Sequence, residues 1–165
     1  MDTAHALDRK QILVVDDEPD ILETLEELLH TSRVKTAATF DQAVDLLKTH
    51  PFDAAVLDIM GVRGFEILKI TRQLKIPTLM LTAHALTPEN MRHSMEKGAD
   101  AYVPKDKITD IPLFIADVLA ARREGKEAHA AWYEFLTPAF DRVFGKGWRK
   151  SDADFWDEFE QRKQK

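Results

Sequence analysis

A chain of 165 residues with 44% apolar and 32% charged side chains is long enough for one domain with a full core and an appendage, and too short for two domains of ordinary size. It has no cysteine, which excludes disulfides, thiolate chemistry and zinc-thiolate centres and points to the cytoplasm, and no run approaches the roughly 20 apolar residues of a bilayer span, so no membrane insertion is expected. With 23 basic and 29 acidic residues the net charge is −6, a balance that repels nucleic acid and argues against DNA as a partner.

The first ten residues, MDTAHALDRK, lack the basic start and apolar run of a secretory signal, and 1–10 read as an N-terminal tail. From there, short apolar runs alternate with amphipathic stretches, the pattern of β-α units around a parallel sheet. Gln11 to Val15 (QILVV) reads as a buried strand. Pro19 fits the first turn of a helix in which Ile21, Leu22, Leu25, Leu28 and Leu29 form one stripe. Val34 to Ala37 is a weak strand candidate, followed by Thr39-x-x-Gln42, a capping box that opens a second helix with Ala43, Leu46 and Leu47 inward. The run HPFD (50–53) ends that helix, Ala54 to Leu57 is the third strand, and Gly64 to Leu74 the third helix. The fourth strand is TLML (78–81), ending at Thr82-Ala83-His84. Thr87-Pro88-Glu89 starts a fourth helix that stops at Lys97-Gly98. Ala101 to Val103 is the fifth strand, and a fifth helix runs from about Thr109 through Phe114, Val118 and Leu119. Five βα repeats over residues 11–124 predict a flavodoxin-like doubly wound parallel α/β sheet of strand order 2-1-3-4-5.

In such a sheet the carboxyl ends of the strands share one edge, where ligands bind. At those ends stand Asp16 and Asp17 (first strand), Asp58 (third), Thr82 (fourth) and Lys105 (fifth). Each alone reads as a turn or surface residue, and Glu18 as a helix N-terminal acid favoured by the dipole. Together they form a set. Carboxylates brought close repel unless a cation is present, and Mg²⁺ suits so small a group of oxygen ligands. With a nucleophilic Asp58, a lysine and a hydroxyl, the set describes an aspartyl-phosphate site.

Residues 11 to about 122, through "VVDDEPD", "AVLDIMG", "MLTAHA" and "GADAYVPK", resemble the receiver domain of bacterial two-component response regulators. The resemblance implies that Asp58 accepts a phosphoryl group from the phosphohistidine of a sensor histidine kinase. It implies that Asp16, Asp17, Asp58 and the backbone carbonyl of Met60 bind Mg²⁺. Lys105 then matches the family's lysine, Thr82 its switch hydroxyl and Tyr102 the aromatic that moves with it; read from the residues alone, Tyr102 is equally a half-buried strand tyrosine. Two departures stand out. The family's loop after the acceptor carries a Met-Pro pair and a glycine eight positions on, whereas Gly64 follows Asp58 by six and no proline occurs, so the loop is two residues short and the Met60 contact is open. Asp106 replaces the proline that commonly follows the lysine, so Lys105 is expected to be drawn partly toward Asp106. His84, two after Thr82, reads as an exposed loop histidine that shapes water access to a phosphoryl group only if it faces the site.

Residues 125–165 resemble no output domain. They hold nine of the fourteen aromatics (three Trp, two Tyr and nine Phe in all), so they are expected to fold as short helices: Ala128 to Leu136, a restart at Thr137-Pro138 that ends near Gly145, and Asp152 to Gln161. Helices this short must dock on the receiver, a second copy or a partner. Lys146, Arg149 and Lys150 beside Trp148 form a basic cluster with an aromatic, but neighbouring acids argue against a DNA-binding output module.

Three functions are weighed. A signalling switch passes Asp58 phosphorylation through Thr82 and Tyr102 to a protein effector, or to the chain itself, by way of the fourth helix, fifth strand and fifth helix or the tail. A phosphatase would need an acid two residues after the nucleophile, where Met60 stands, so the chain is read as no enzyme beyond catalysing its own phosphorylation. An interaction scaffold with a degenerate receiver is the alternative, suggested by the short loop and the tail.

Overall fold

The computed structural model describes residues 3–83, 86–125 and 129–163. Five parallel strands, β1 (Gln11–Val15), β2 (Arg33–Ala37), β3 (Ala54–Asp58), β4 (Thr78–Thr82) and β5 (Ala101–Pro104), form one sheet in the order β2-β1-β3-β4-β5. The fold class and strand order are those expected. Strands β3, β4 and β5 are buried at every position, because helices cover both faces of the sheet and the strands are apolar runs, with polar residues at their ends, rather than alternating. At the edge, β2 buries only Ala37, which is why RVKTA carries so weak a strand signal. Its pairing with β1 still runs the full five residues, from Gln11↔Arg33 to Val15↔Ala37.

The flanking helices are α1 (Pro19–Leu28), α2 (Phe40–Thr49), α3 (Gly64–Gln73), α4 (Pro88–Glu96) and α5 (Ile111–Arg123). Two of them start on side-chain caps. Thr39 accepts the Gln42 N–H at 3.2 Å while Gln42 Oε1 accepts the Ala38 N–H at 2.8 Å, a capping box closed one residue before the cap itself. Thr87 accepts the Asn90 N–H at 3.1 Å, with Pro88 in the first turn. Helix α5 begins at Ile111, not near Thr109, because Lys105–Asp110 form a 3₁₀ helix directly after β5.

Ahead of the sheet, a helical turn at Thr3–Ala6 leads to Leu7, which is buried and whose carbonyl accepts the Ser32 hydroxyl at 2.7 Å. Behind it, the aromatic segment folds as α6 (His129–Phe144), a 3₁₀ turn (Trp148–Asp152) and α7 (Ala153–Lys163). No break occurs at Thr137-Pro138: α6 runs through the proline. An interior proline costs roughly 3 kcal/mol. What offsets it is a stripe of Trp132, Leu136 and Phe140 at four-residue spacing, all buried against β5 and α5. The Thr137 hydroxyl also donates to the Tyr133 carbonyl at 2.6 Å, supplying a donor beside the proline.

The tail therefore docks on the receiver and shares its core. Phe140 lies 6.3 Å from the Tyr102 ring of β5, and Phe135 meets Phe114 of α5 edge-on at 5.6 Å. Trp156, Phe159 and Tyr133 close the cluster, with Tyr133 and Phe159 centred 5.1 Å apart. Among the described residues no helix is long and apolar enough to cross a membrane. Because Trp156 is buried in this satellite core, Trp156→Ala should lower the unfolding free energy by about 3 kcal/mol, read as a lower urea midpoint.

Candidate functional site

The register of the sheet brings the acids together. Val15 pairs with Leu57, so Asp16 and Asp58 leave neighbouring strands side by side; Asp58 pairs with Leu81, and Thr82 with Pro104, which delivers Lys105 to the same edge. Asp16 and Asp58 are both buried, at 1% and 5% exposure. Lys105 Nζ sits among three carboxylates, 3.0 Å from Asp16 Oδ2, 3.0 Å from Glu18 Oε1 and 3.4 Å from Asp58 Oδ1. Among the described residues these are its ion pairs, and Asp106 is not one of them. The 3₁₀ helix that starts at Lys105 turns the lysine back over the sheet edge toward the acids, while Asp106 stays in solvent.

Electrostatics follow from this packing. Burial above all, then the neighbouring Asp16 charge, pushes the Asp58 carboxyl up to about 7, against the opposing pull of Lys105. Burial also raises Asp16, offset in part by the Glu18 N–H that Asp16 Oδ1 accepts at 2.8 Å and by Lys105. For Lys105 burial works against the charge, but Glu18, Asp16 and Asp58 outweigh it and the ammonium is held above its ordinary range.

One carboxylate oxygen stands out. Asp16 Oδ2 is buried and accepts no hydrogen bond, its lysine contact being ionic only. Asp16, Asp17 and Glu18 can each place an oxygen within 4.8 Å of the others. An unpartnered buried carboxylate oxygen beside further oxygen donors is the environment a hard divalent cation takes, so these residues fit Mg²⁺.

The loop from Asp58 to α3 is shaped by two glycines. A side chain at Gly61, where φ is +84°, would lie 2.4 Å from Asp17 Oδ2, so Gly61 gives the Asp17 carboxylate its place. A Cβ at Gly64 would lie 2.1 Å from the Asp58 carbonyl oxygen. The Gly64 N–H donates to the Ile59 carbonyl at 3.1 Å, and Ile59 and Val62 fill the space beneath. Five residues (59–63) thus complete a loop that buries its own apolar side chains. The Met60 side chain points outward, 55% exposed.

Against known proteins, the model of the response regulator receiver domain matches residues 12–113. This chain belongs to the response regulator receiver family. It is 33% identical over 101 residues to the response regulator GtcR of Aneurinibacillus migulanus, covering 58% of this chain and 41% of that protein. It is 35% identical over 102 residues to the DNA-binding response regulator MtrA of Mycolicibacterium smegmatis, covering 59% and 44%. The chain thus spans less than half the length of these relatives. Among solved structures, the CheY-like receiver domain protein of Methanospirillum hungatei JF-1 superposes with a TM-score of 0.64 at 28% identity, covering 70% of this chain and 98% of that one. DrrB, an OmpR/PhoB homologue of Thermotoga maritima, gives 0.59 at 29% identity, covering 72% and 54%.

In this receiver Thr82 is buried at the end of β4 beside the acids, and His84 lies outside the described residues. Tyr102 is not half-exposed: its ring is fully buried and its hydroxyl faces the start of α4, where it accepts the Thr87 N–H at 3.3 Å and donates to the Thr87 carbonyl at 3.4 Å. Glu18 is the residue that sequence reasoning assigned to another role. It precedes Pro19 at the start of α1 but makes no side-chain cap, and reaches across the site to Lys105 instead. The available signal was a third acid at a strand end already holding two.

Gly64→Ala should cost several kcal/mol of stability, because the nearest obstacle is backbone, and thermal unfolding will show it. In metal-free protein the unfolded chain releases the Asp58 proton near its ordinary value of 3.8, while the folded chain holds it to about 7, so folding stability falls as pH rises through that window. Asp58→Asn removes this loss. It should therefore be stabilised relative to wild type at about pH 8 and lose that advantage progressively as pH falls from about 7 toward 3.8, each tenfold difference in proton affinity being worth about 1.4 kcal/mol.

Proposed function

We propose that the chain is a phosphoryl-accepting signalling switch of a two-component pathway, with Asp58 as the acceptor and a sensor histidine kinase as the donor. The observation that carries this reading is Lys105, from the end of β5, set between buried Asp16 and Asp58 from the ends of β1 and β3. With its carboxyl near 7, Asp58 is present as the carboxylate in a large fraction of molecules at neutral pH. That carboxylate attacks phosphorus in line; the P–N bond of a phosphohistidine protonated on its other ring nitrogen breaks, and the electron pair stays on the departing nitrogen, so that neutral imidazole leaves.

Lys105 provides a charged donor for a phosphoryl oxygen at the mouth of β5, and the Thr82 hydroxyl a second one at the end of β4. Asp16, Asp17, Asp58 and the Met60 carbonyl would hold Mg²⁺, which would supply charge neutralisation for the phosphoryl oxygens. Met60, two residues after the acceptor, has no group that could act as general acid or base, so the chain catalyses its own phosphorylation and no further turnover. The output travels through Thr82 and Tyr102 toward α4, β5 and α5, and the chain works in the cytoplasm.

The partner in this reading is a protein rather than DNA. Although MtrA is named as DNA-binding, the one arginine of the tail's basic cluster is already engaged within the tail. Arg149 donates to the Tyr133 hydroxyl at 2.9 Å, pairs with Glu160 at 3.1 Å and with Asp141 at 3.4 Å, and stacks on Trp148. A scaffold with a silent receiver is the second reading, favoured by the shortened loop over residues 59–63.

Incubation with Mg²⁺ and acetyl phosphate separates the two. The switch predicts a mass gain of one phosphoryl group that hydroxylamine removes and that is absent from Asp58→Asn, with Lys105→Ala retaining Mg²⁺ but losing most of the uptake. A wild type that binds Mg²⁺ yet gains no phosphate from either acetyl phosphate or a panel of histidine kinases is the scaffold.

A further inference from the structure

Strand β5 carries two functions only three residues apart. Lys105, directly after it, holds Asp16 and Asp58; Tyr102, within it, carries the tail. In the register of β4 and β5, Met80 lies beside Tyr102 and Thr82 beside Pro104, so the site hydroxyl and the tail contact belong to one short stretch of paired backbone. The tail is tied to α4 as well. Arg92 of α4 forms an ion pair with Asp152, just before α7, and its guanidinium lies 5.4 Å from the Phe155 ring centre. Helix α4 also begins at Thr87, whose backbone both of the long Tyr102 hydroxyl contacts reach.

The strength of these contacts decides what they do. At 3.3 and 3.4 Å the tyrosine hydrogen bonds are weak, so what fixes the ring is its packing, with Phe140 as the lid. Phe140 is itself fully buried and stacks on Phe144 at 5.6 Å, within a cluster that includes Trp132 and Trp148. Tyr102 therefore cannot leave its place without opening a hole against Phe140, and α4 cannot shift without disturbing Arg92 and Asp152. A docked tail and a displaced Tyr102 exclude one another.

We propose that the C-terminal helices α6 and α7 are this receiver's own output ligand: docked, they hold Tyr102 and α4 in place and oppose phosphorylation of Asp58, and phosphorylation releases them. This rests on the reading of Asp58 as the acceptor. Because coupling between two equilibria is reciprocal, tail release favours the phosphorylated state by the factor by which phosphorylation favours release. Release would uncover the apolar side of α6, including Trp132, Leu136 and Phe140, which makes the freed helix the surface a protein effector reads.

The test uses the full chain with Mg²⁺ and acetyl phosphate. Phosphate uptake is followed by intact mass for wild type, Phe140→Ala and Asp152→Ala, and hydrogen exchange over residues 129–163 is followed with and without phosphorylation. The expected result is faster uptake in Phe140→Ala, on the order of fivefold, a smaller gain in Asp152→Ala, and faster exchange of α6 and α7 in phosphorylated wild type. Asp152→Ala removes one partner of an exposed ion pair and leaves the aromatic cluster whole, so it reports on coupling even if Phe140→Ala loosens the entire tail. Equal uptake in all three with unchanged exchange overturns the proposal, as does slower uptake in the variants. No uptake by any of them, from acetyl phosphate or from the panel of histidine kinases, overturns it together with the acceptor reading, and that outcome is told apart by zero rather than equal gains.

Discussion

The arrangement of this molecule turns on the ammonium group of Lys105. Three carboxylates brought within about 3.5 Å of one point, two of them buried, would not stay ionised together without a cation between them. The lysine solves that locally but incompletely: Asp58 still titrates near neutrality, and one oxygen of Asp16 is left without a hydrogen bond. The site is under-neutralised by construction. A divalent cation and a phosphoryl group, bound together, add charge and hydrogen-bonding groups of the kind the resting site lacks.

The same lysine explains why the sheet must be parallel and in this order. Only with β1, β3, β4 and β5 adjacent do their carboxyl ends converge on a single edge, and only then do residues separated by as many as 89 positions meet. The strands can be buried over their whole length because helices cover both faces, and the charged residues are confined to their ends. Thus the core stabilises the protein and the rim of the sheet carries its chemistry. The rim is destabilising in itself, as expected where function requires charges to be held out of water.

Most of this was legible in the sequence, for a definite reason. Buried parallel strands write themselves as unbroken apolar runs, and an acid, threonine or lysine terminating such a run is visible without coordinates; Asp16, Asp58, Thr82 and Lys105 were found in that way. Glu18 was not, because its place at the start of a helix offered a sufficient local explanation, and its reach to Lys105 depends on β5 folding alongside β1 only in three dimensions. The direction of Lys105 was misjudged for a related reason: Asp106 is adjacent in sequence, but the 3₁₀ helix after β5 turns the two apart. Pro138 misled as well. Local rules end a helix there, and α6 continues because its buried stripe of Trp132, Leu136 and Phe140 gains more from staying on one axis than the proline costs.

That last point bears on what the tail is for. A helix retained through a proline, with two buried indole N–H groups that find no acceptor, those of Trp132 and Trp156, is far from the most stable way to cap a sheet. Each such N–H costs on the order of 1–3 kcal/mol, and the burial of Trp132, Tyr133, Phe140, Trp148, Trp156 and Phe159 has to outweigh them. Both features subtract from what holds the tail down, which suits a segment that must come away. Were the tail only a patch over β5 and α5, polar satisfaction and a helix without an interior proline would serve better. The interior proline and the two unsatisfied donors instead bring the docked and released states nearer in free energy, so that the charge on one aspartyl group has less to overcome in choosing between them.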